Sequence, residues 1–217
     1  MRARLVALAV ACASLLVVQS PPASAQARLT VSPDEVLAAG LTPAGTAVWL
    51  GATQVIAADE VPEIRAYLRT VTAGKDGMAR LEIPGGVPEH SVWVVVDFTT
   101  GASGSASPAG FPLRALPWRG QGVVRASGTG DRVEDVRQTG DLLLVRPGVG
   151  AWFVGAGDGG PADADGIADG TLRISLGVLK PLEASGGPPP SEVGARDVLV
   201  MLDPRTLELT IAAGGAN

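Results

Sequence analysis

Asp158, Asp163, Asp165 and Asp169 stand close together in the segment Gly155-Ala-Gly-Asp-Gly-Gly-Pro-Ala-Asp-Ala-Asp-Gly-Ile-Ala-Asp-Gly170, between two apolar stretches. Carboxylates at that density repel one another unless water or a cation lies between them. A hard cation such as Ca²⁺ takes six to eight oxygens, which aspartate side chains and glycine-freed carbonyls can supply. The alternative is a solvated hairpin loop in which Asp and Gly serve turn geometry alone. Both readings stand on the sequence. Beyond a possible Ca²⁺, nothing in the chain asks for a cofactor.

Other groups able to do chemistry are few. His90 is the single histidine, in Val87-Pro-Glu-His-Ser91, and no Gly-x-Ser-x-Gly elbow accompanies it. One histidine and one cysteine cannot build a His/Cys zinc centre. Two carboxylates across a cleft could hydrolyse a glycoside, and Asp97, Asp141, Glu134 and Asp135 are available, but spacing sets no two of them opposite each other. Asp97, inside Val94-Val-Val-Asp-Phe98, is the acid whose pKa burial would raise; the simpler expectation is that it ends a strand and caps Thr99-Thr-Gly101. Gly155-x-Gly157-x-x-Gly160 matches a dinucleotide loop, yet Pro161 and the aspartates around it would repel a pyrophosphate, and no helix follows. No catalytic residue is assigned, and the chain reads as a non-enzyme.

The tryptophans offer a different chemistry, stacking on sugar rings. Trp49, Trp93 and Trp152 lie in apolar stretches where core packing is expected. Trp118, in Leu116-Pro-Trp-Arg-Gly120, lies on a loop and is the candidate ligand contact.

The beginning of the chain is an address. Arg2 and Arg4 precede an apolar run from Leu5 to Val18, and Ala23-Ser-Ala25 has the small-x-small pattern of signal-peptidase cleavage. The run is short of the ~20 residues that span a bilayer. Cys12 sits inside it rather than at its end, against lipidation. Cleavage after Ala25 is the expectation, with an extracytoplasmic destination: periplasm, exterior or cell surface. The mature chain would lose the only cysteine, so no disulfide could form. It would carry 15 basic against 22 acidic side chains, a net charge of −7, which argues against binding a phosphate backbone. The expected partner is a protein or a glycan, with no nucleic acid and no transmembrane segment.

The elements that must position these residues are short strands. Glycine (29) and proline (17) recur along the chain at intervals that punctuate strands rather than long helices. Arg28 to Val31 starts a first strand. Ser32-Pro-Asp-Glu35 has the form of a capping box and predicts a two-turn helix ending at Gly40. Ala47 to Leu50 is a short strand, extended after Gly51 by Gln54 to Ala58. Ile64 to Val71 and Met78 to Ile83 read as strands joined by a hairpin at Gly74-Lys-Asp-Gly77. Ser91 to Phe98 has a continuous apolar centre, as a strand buried on both faces would have.

Thr100 to Gly110 reads as a loop or linker. Gln121 to Ala126, Asp141 to Arg146 and Gly150 to Val154 follow as strands, and Leu172, Ile174, Leu176 and Val178 alternate as another. Ser185 to Pro190 cannot be regular. Asp197 to Leu202 and Leu207 to Ala212 form a terminal hairpin with Leu207, Leu209 and Ile211 inward and Glu208 and Thr210 in solvent. The expectation is an all-β chain of one or two antiparallel sandwiches with one short N-terminal helical turn. Residues 1–25 would be a signal peptide, 26–110 a first β domain and 111–217 a second, with the acidic loop at 155–170.

On Lys75-Asp-Gly77 before Ala79-Arg-Leu-Glu-Ile83, residues 28–110 resemble bacterial immunoglobulin-like surface modules, which implies a β-sandwich; the cysteine pair of antibody-type domains is missing. The whole chain is similar to uncharacterised secreted bacterial proteins, which implies no activity. Asp163-Ala-Asp165-Gly-Ile-Ala-Asp169-Gly is similar to the loops of thrombospondin type 3 and dockerin modules, which implies Ca²⁺. It departs from the EF-hand pattern: with Asp165-Gly166 at loop positions 5 and 6, Pro161 takes the first place and Leu172 the twelfth. The resulting expectation is an exported structural or binding module, Ca²⁺-stabilised, with a carbohydrate-binding or accessory role in a polysaccharide-acting system as the alternative.

Overall fold

The computed structural model describes residues 26–55, 63–108, 122–127, 130–134, 140–155, 171–174, 176–182 and 187–214. They are all-β. In chain order the strands are β1 (Arg28–Val31), β2 (Glu35–Ala39), β3 (Thr46–Val55), β4 (Glu63–Thr72), β5 (Ala79–Glu82), β6 (Ser91–Asp97), β7 (Ser103–Ala106) and β8 (Gly122–Ser127), then β9 (Gly130–Glu134), β10 (Asp141–Arg146), β11 (Gly150–Val154), β12 (Thr171–Ile174), β13 (Lys180–Pro181), β14 (Val198–Asp203) and β15 (Glu208–Gly214). They form a three-stranded sheet β1-β2-β5, a four-stranded sheet β4-β3-β6-β7 and an eight-stranded sheet β12-β9-β8-β15-β14-β10-β11-β13. Every pairing of these strands is antiparallel except β15 with β8. Among the described residues no helix is long and apolar enough to cross a membrane.

The four-stranded sheet lies between the other two, and period-2 alternation along its strands divides its side chains between two apolar layers. Ala47, Trp49, Trp93 and Val95 join Val36, Ala38, Ala79 and Leu81 of the small sheet, and Ile83 just beyond β5. Val48, Leu50, Ala52, Val92, Val94 and Val96 point the other way, into a layer shared with Leu143, Val145, Ala151, Val200 and Leu202 of the large sheet. The unbroken apolar run of β6 is therefore buried on both faces, as its composition predicts, and every residue from Ser91 to Asp97 is buried. β3 runs straight through Gly51 as a single ten-residue strand. A Cβ there would lie 2.4 Å from Trp93 Cε3, so the absence of a side chain is what lets the indole lie across the strand.

The same alternation splits the large sheet. Leu142, Leu144, Trp152, Val154, Leu199 and Met201 face outward, where Leu176 and Leu179 cover them. The expected terminal hairpin forms, with Leu202 opposite Leu209 and Asp203 opposite Glu208. Its turn places Leu207 at φ 57°, where the Leu207 N–H donates to Asp203 O at 2.8 Å. That unfavourable conformation for a branched side chain is offset by burial, since Leu207 is 1% exposed. Thr210 is buried rather than solvated: its side of β15 faces the layer closed by Leu176 and Leu179, so alternation no longer implies water on that face.

Other expectations change for similar reasons. The helical turn after Ser32 is absent, and Glu35–Ala39 is strand β2. Ser32 N–H and Oγ both donate to Glu35 O (2.9 and 3.1 Å), turning the would-be capping residue to a strand contact. Val36 and Ala38 gain full burial from the extended form, which decides the outcome. Gly74–Gly77 does make a tight turn, closed by Gly77 N–H to Gly74 O at 3.0 Å, but it is no hairpin. β4 pairs with β3 and β5 with β2, so the turn carries the chain between sheets. The alternating Leu172–Val178 stretch is also divided: β12 ends at Ile174, and Leu176–Val178 is a 3₁₀ turn that buries Leu176 and leaves Val178 exposed.

Candidate functional site

The acidic residues Asp158, Asp163, Asp165 and Asp169, and Trp118, lie outside the described residues, as do Asp135 and residues 1–25, the expected signal peptide. The strands on either side of the acidic segment do reveal something. β11 ends at Val154 and β12 begins at Thr171, the positions expected, but β12 is the outermost strand at one end of the sheet and β11 is next to last at the other. The segment thus connects opposite ends of a sheet, and the expectation of a hairpin loop is overturned. Asp141, buried, places Oδ1 3.7 Å from where a side chain on Gly155 would begin. Among the described residues no group of three or more His, Cys, Asp or Glu side chains could hold a metal ion.

Trp49, Trp93 and Trp152 are core residues, at 1%, 0% and 4% exposure. Trp93 Nε1 donates to Ser91 Oγ at 2.9 Å, and that hydroxyl donates in turn to Pro88 O at 2.8 Å. Trp152 Nε1 reaches Gly187 O at 3.3 Å. These indoles are closed to sugar rings. His90 is half-buried in the bend before β6, and its carbonyl accepts the Gln54 N–H at 2.8 Å.

Asp97 ends β6 and is fully buried. Its Oδ1 accepts the Thr99 and Thr100 N–H groups at 2.8 Å each and the Thr100 and Thr42 hydroxyls at 3.0 Å each, while Oδ2 accepts the Thr42 N–H at 2.5 Å. Burial alone would push the pKa up, but these donors outweigh it and hold the group below its ordinary 3.8. The capping expectation holds, extended to a second loop at Thr42; the expectation of a raised pKa is reversed. A buried carboxylate with five donors is a fastener that ties the end of β6 to two loops.

Asp197 is the counterpart in the large sheet. Arg146 holds it in a fork, Nε to Oδ1 at 2.9 Å and Nη2 to Oδ2 at 2.7 Å. The Gly194 N–H adds a bond to Oδ2 at 2.7 Å, and Arg146 Nη2 also reaches Glu192 O at 2.9 Å. The guanidinium pKa is raised, first by the hydrogen bond to Asp197. This cluster ties the loop before β14 to the end of β10. Nothing in the spacing of Arg146 and Asp197 along the chain announces it.

What remains at the surface is β4. Its ten residues are exposed or half-buried throughout, and among the described residues it pairs on one side only, with β3. Glu63 and Arg65 form an exposed ion pair at 2.8 Å. Tyr67, the chain's only tyrosine, tilts against Trp93 with ring centroids 5.2 Å apart. It borders an open depression of ≈ 590 Å³ lined also by Arg65, Ala66, Leu68, Arg69 and Pro84. Sequence reasoning passed over this strip, because a strand's residues carry no mark of whether the strand is central or at an edge. Comparison with protein-family models, with curated proteins and with solved structures finds no match to this chain.

Proposed function

We propose that the chain is an exported structural or binding module with no catalytic role, delivered by cleavage after Ala25 to an extracytoplasmic site. The observation that carries this reading is how the chemically capable side chains are used. Asp97 and Asp197 serve as hydrogen-bond fasteners, and Trp49, Trp93 and Trp152 pack the core. The described surface instead offers an unpaired strand edge, which suits association. The acidic segment adds Ca²⁺ to this reading: Asp158, Asp163, Asp165 and Asp169 would hold the ion, and its role would be to stiffen a long crossover between the two ends of the large sheet.

Binding of the purified protein to an array of bacterial and plant polysaccharides tests the reading against its carbohydrate-binding alternative. The expected result is no retention. Saturable binding lost on Trp118→Ala would overturn the structural assignment in favour of glycan recognition. Turnover of any array member would refute the non-catalytic role outright.

A further inference from the structure

We infer that β4 is a self-association edge, pairing antiparallel with β4 of a second copy across a two-fold axis at Ala66. The inference rests on the reading of the chain as a structural or binding module and names its partner. The backbone sets which groups are free. Gln54 N–H donates to His90 O and Phe98 N–H to Thr46 O, so the even positions of β3 face β6; Ala73 N–H donates to Gly45 O, so the odd positions face β4. With Thr53 opposite Arg65 and Gly51 opposite Tyr67, the odd residues of β4 spend their N–H and C=O groups on β3. Those of Ile64, Ala66, Leu68 and Thr70 point away from the sheet, and among the described residues no strand receives them.

Such an edge is a template for pairing with another strand unless it is short, bulged, covered, or guarded by prolines or by charges that repel the incoming strand. β4 has no proline, glycine or lysine over ten residues, and Ile64 is 42% exposed. Its charges also favour one register over its two immediate neighbours. With the axis at Ala66, Glu63 of each copy lies opposite Arg69 of the other, and Arg65 lies opposite Tyr67, where a cation can rest on a ring. On the other face, Ile64 lies opposite Leu68 and Ala66 opposite itself. Moving the axis to Arg65 sets that arginine against its own copy, and moving it to Tyr67 sets Arg65 against Arg69. Like charges directly opposite are destabilising, so both neighbouring registers are disfavoured. In the Ala66 register the free N–H and C=O groups of Ile64, Ala66 and Leu68 exchange hydrogen bonds, joining two four-stranded sheets into one continuous sheet.

Sedimentation velocity of the full chain over about 1 to 300 µM tests the pairing, a range that spans the affinity of transient association. A concentration-dependent dimer is expected. Glu63→Arg and Arg69→Glu should each weaken it by roughly tenfold, because each acts twice across the axis, and the double variant should restore it to within about threefold. Both sites are exposed, and unchanged melting temperatures will confirm that the variants fold. In a Cys12→Ser background, Ala66→Cys should form a disulfide-linked dimer under mild oxidation, since residues opposite one another in a hydrogen-bonded pair have Cα atoms about 5.5 Å apart. Thr70→Cys should not, as it has no copy of itself opposite. A chain that stays monomeric overturns the inference, as does a dimer indifferent to charge reversal. In either case the polysaccharide array still judges the module reading separately.

Discussion

Replacing Asp97 by asparagine keeps the shape of the side chain and exchanges one carboxylate oxygen for an NH₂ group. The amide oxygen can occupy the Oδ1 position and keep the bonds from Thr99, Thr100 and the Thr42 hydroxyl. The amide nitrogen then stands where Oδ2 stood, 2.5 Å from the Thr42 nitrogen, donor against donor. One charge-assisted hydrogen bond is lost, a main-chain N–H is left without its acceptor, and the remaining bonds weaken because the charge has gone. Relief from burying that charge offsets part of the loss, and the net cost is about 2–4 kcal/mol at neutral pH. For a chain of this size that is a fall in Tm of roughly 5–15 °C.

The pH dependence sharpens the test. The folded pKa of Asp97 lies below its ordinary value, so its contribution is complete above the unfolded pKa, near 4, and disappears as pH falls through the folded value. Urea unfolding of both proteins between about pH 2.5 and 7 should give a difference that is constant above pH 5 and narrows in acid. A cost under about 0.5 kcal/mol, or one equally large at pH 3 and pH 7, would refute the fastening role.

Three further outcomes are expected. Gly51→Ala sets a methyl 2.4 Å from the Trp93 ring and should cost about 1–3 kcal/mol, with a changed near-UV circular dichroism band; an unperturbed spectrum and stability would show that the indole does not cross the strand there. Arg146→Ala strips the forked partner from Asp197, which is 1% exposed, and should destabilise by about 3–5 kcal/mol in urea titration, while Arg146→Lys recovers only part of this because it cannot reproduce the fork. Millimolar CaCl₂ should raise the Tm over that in EGTA by an amount equivalent to about 1–3 kcal/mol, and Asp163→Ala with Asp165→Ala should abolish the rise. Equal melting with and without Ca²⁺ would remove the ion from the account.

Period and composition alone established the all-β class, and they did so where burial leaves a repeating mark. The run Val92 to Val96 announced a strand with two covered faces, and Leu207-Glu-Leu-Thr-Ile211 with Asp203-Pro-Arg-Thr206 announced the last hairpin. Gly and Pro marked turns because their restrictions on φ are local. The expectations of a leader at residues 1–25 and of an acidic segment at 155–170 arose in the same way: each rests on contiguous residues, and nearly all of those residues lie outside the described part of the chain.

Tertiary structure decided everything that depends on which segment meets which. Ser32-Pro-Asp-Glu35 satisfies the local rules for a helix start, yet burial of Val36 and Ala38 between β1 and β5 outweighs a few tenths of a kilocalorie of propensity per residue. Gly74–Gly77 has hairpin chemistry, but pairing with β3 and β2 is set by contacts distant in sequence, so the strands it joins enter different sheets. Asp97 draws a donor from Thr42, fifty-five residues away, and that donor helps reverse the direction in which burial would move its pKa. The strip from Glu63 to Arg69 stands at an edge because, among the described residues, no strand lies beyond β4 in its sheet. Edge or centre is a property of the whole topology, and no pattern within one strand encodes it.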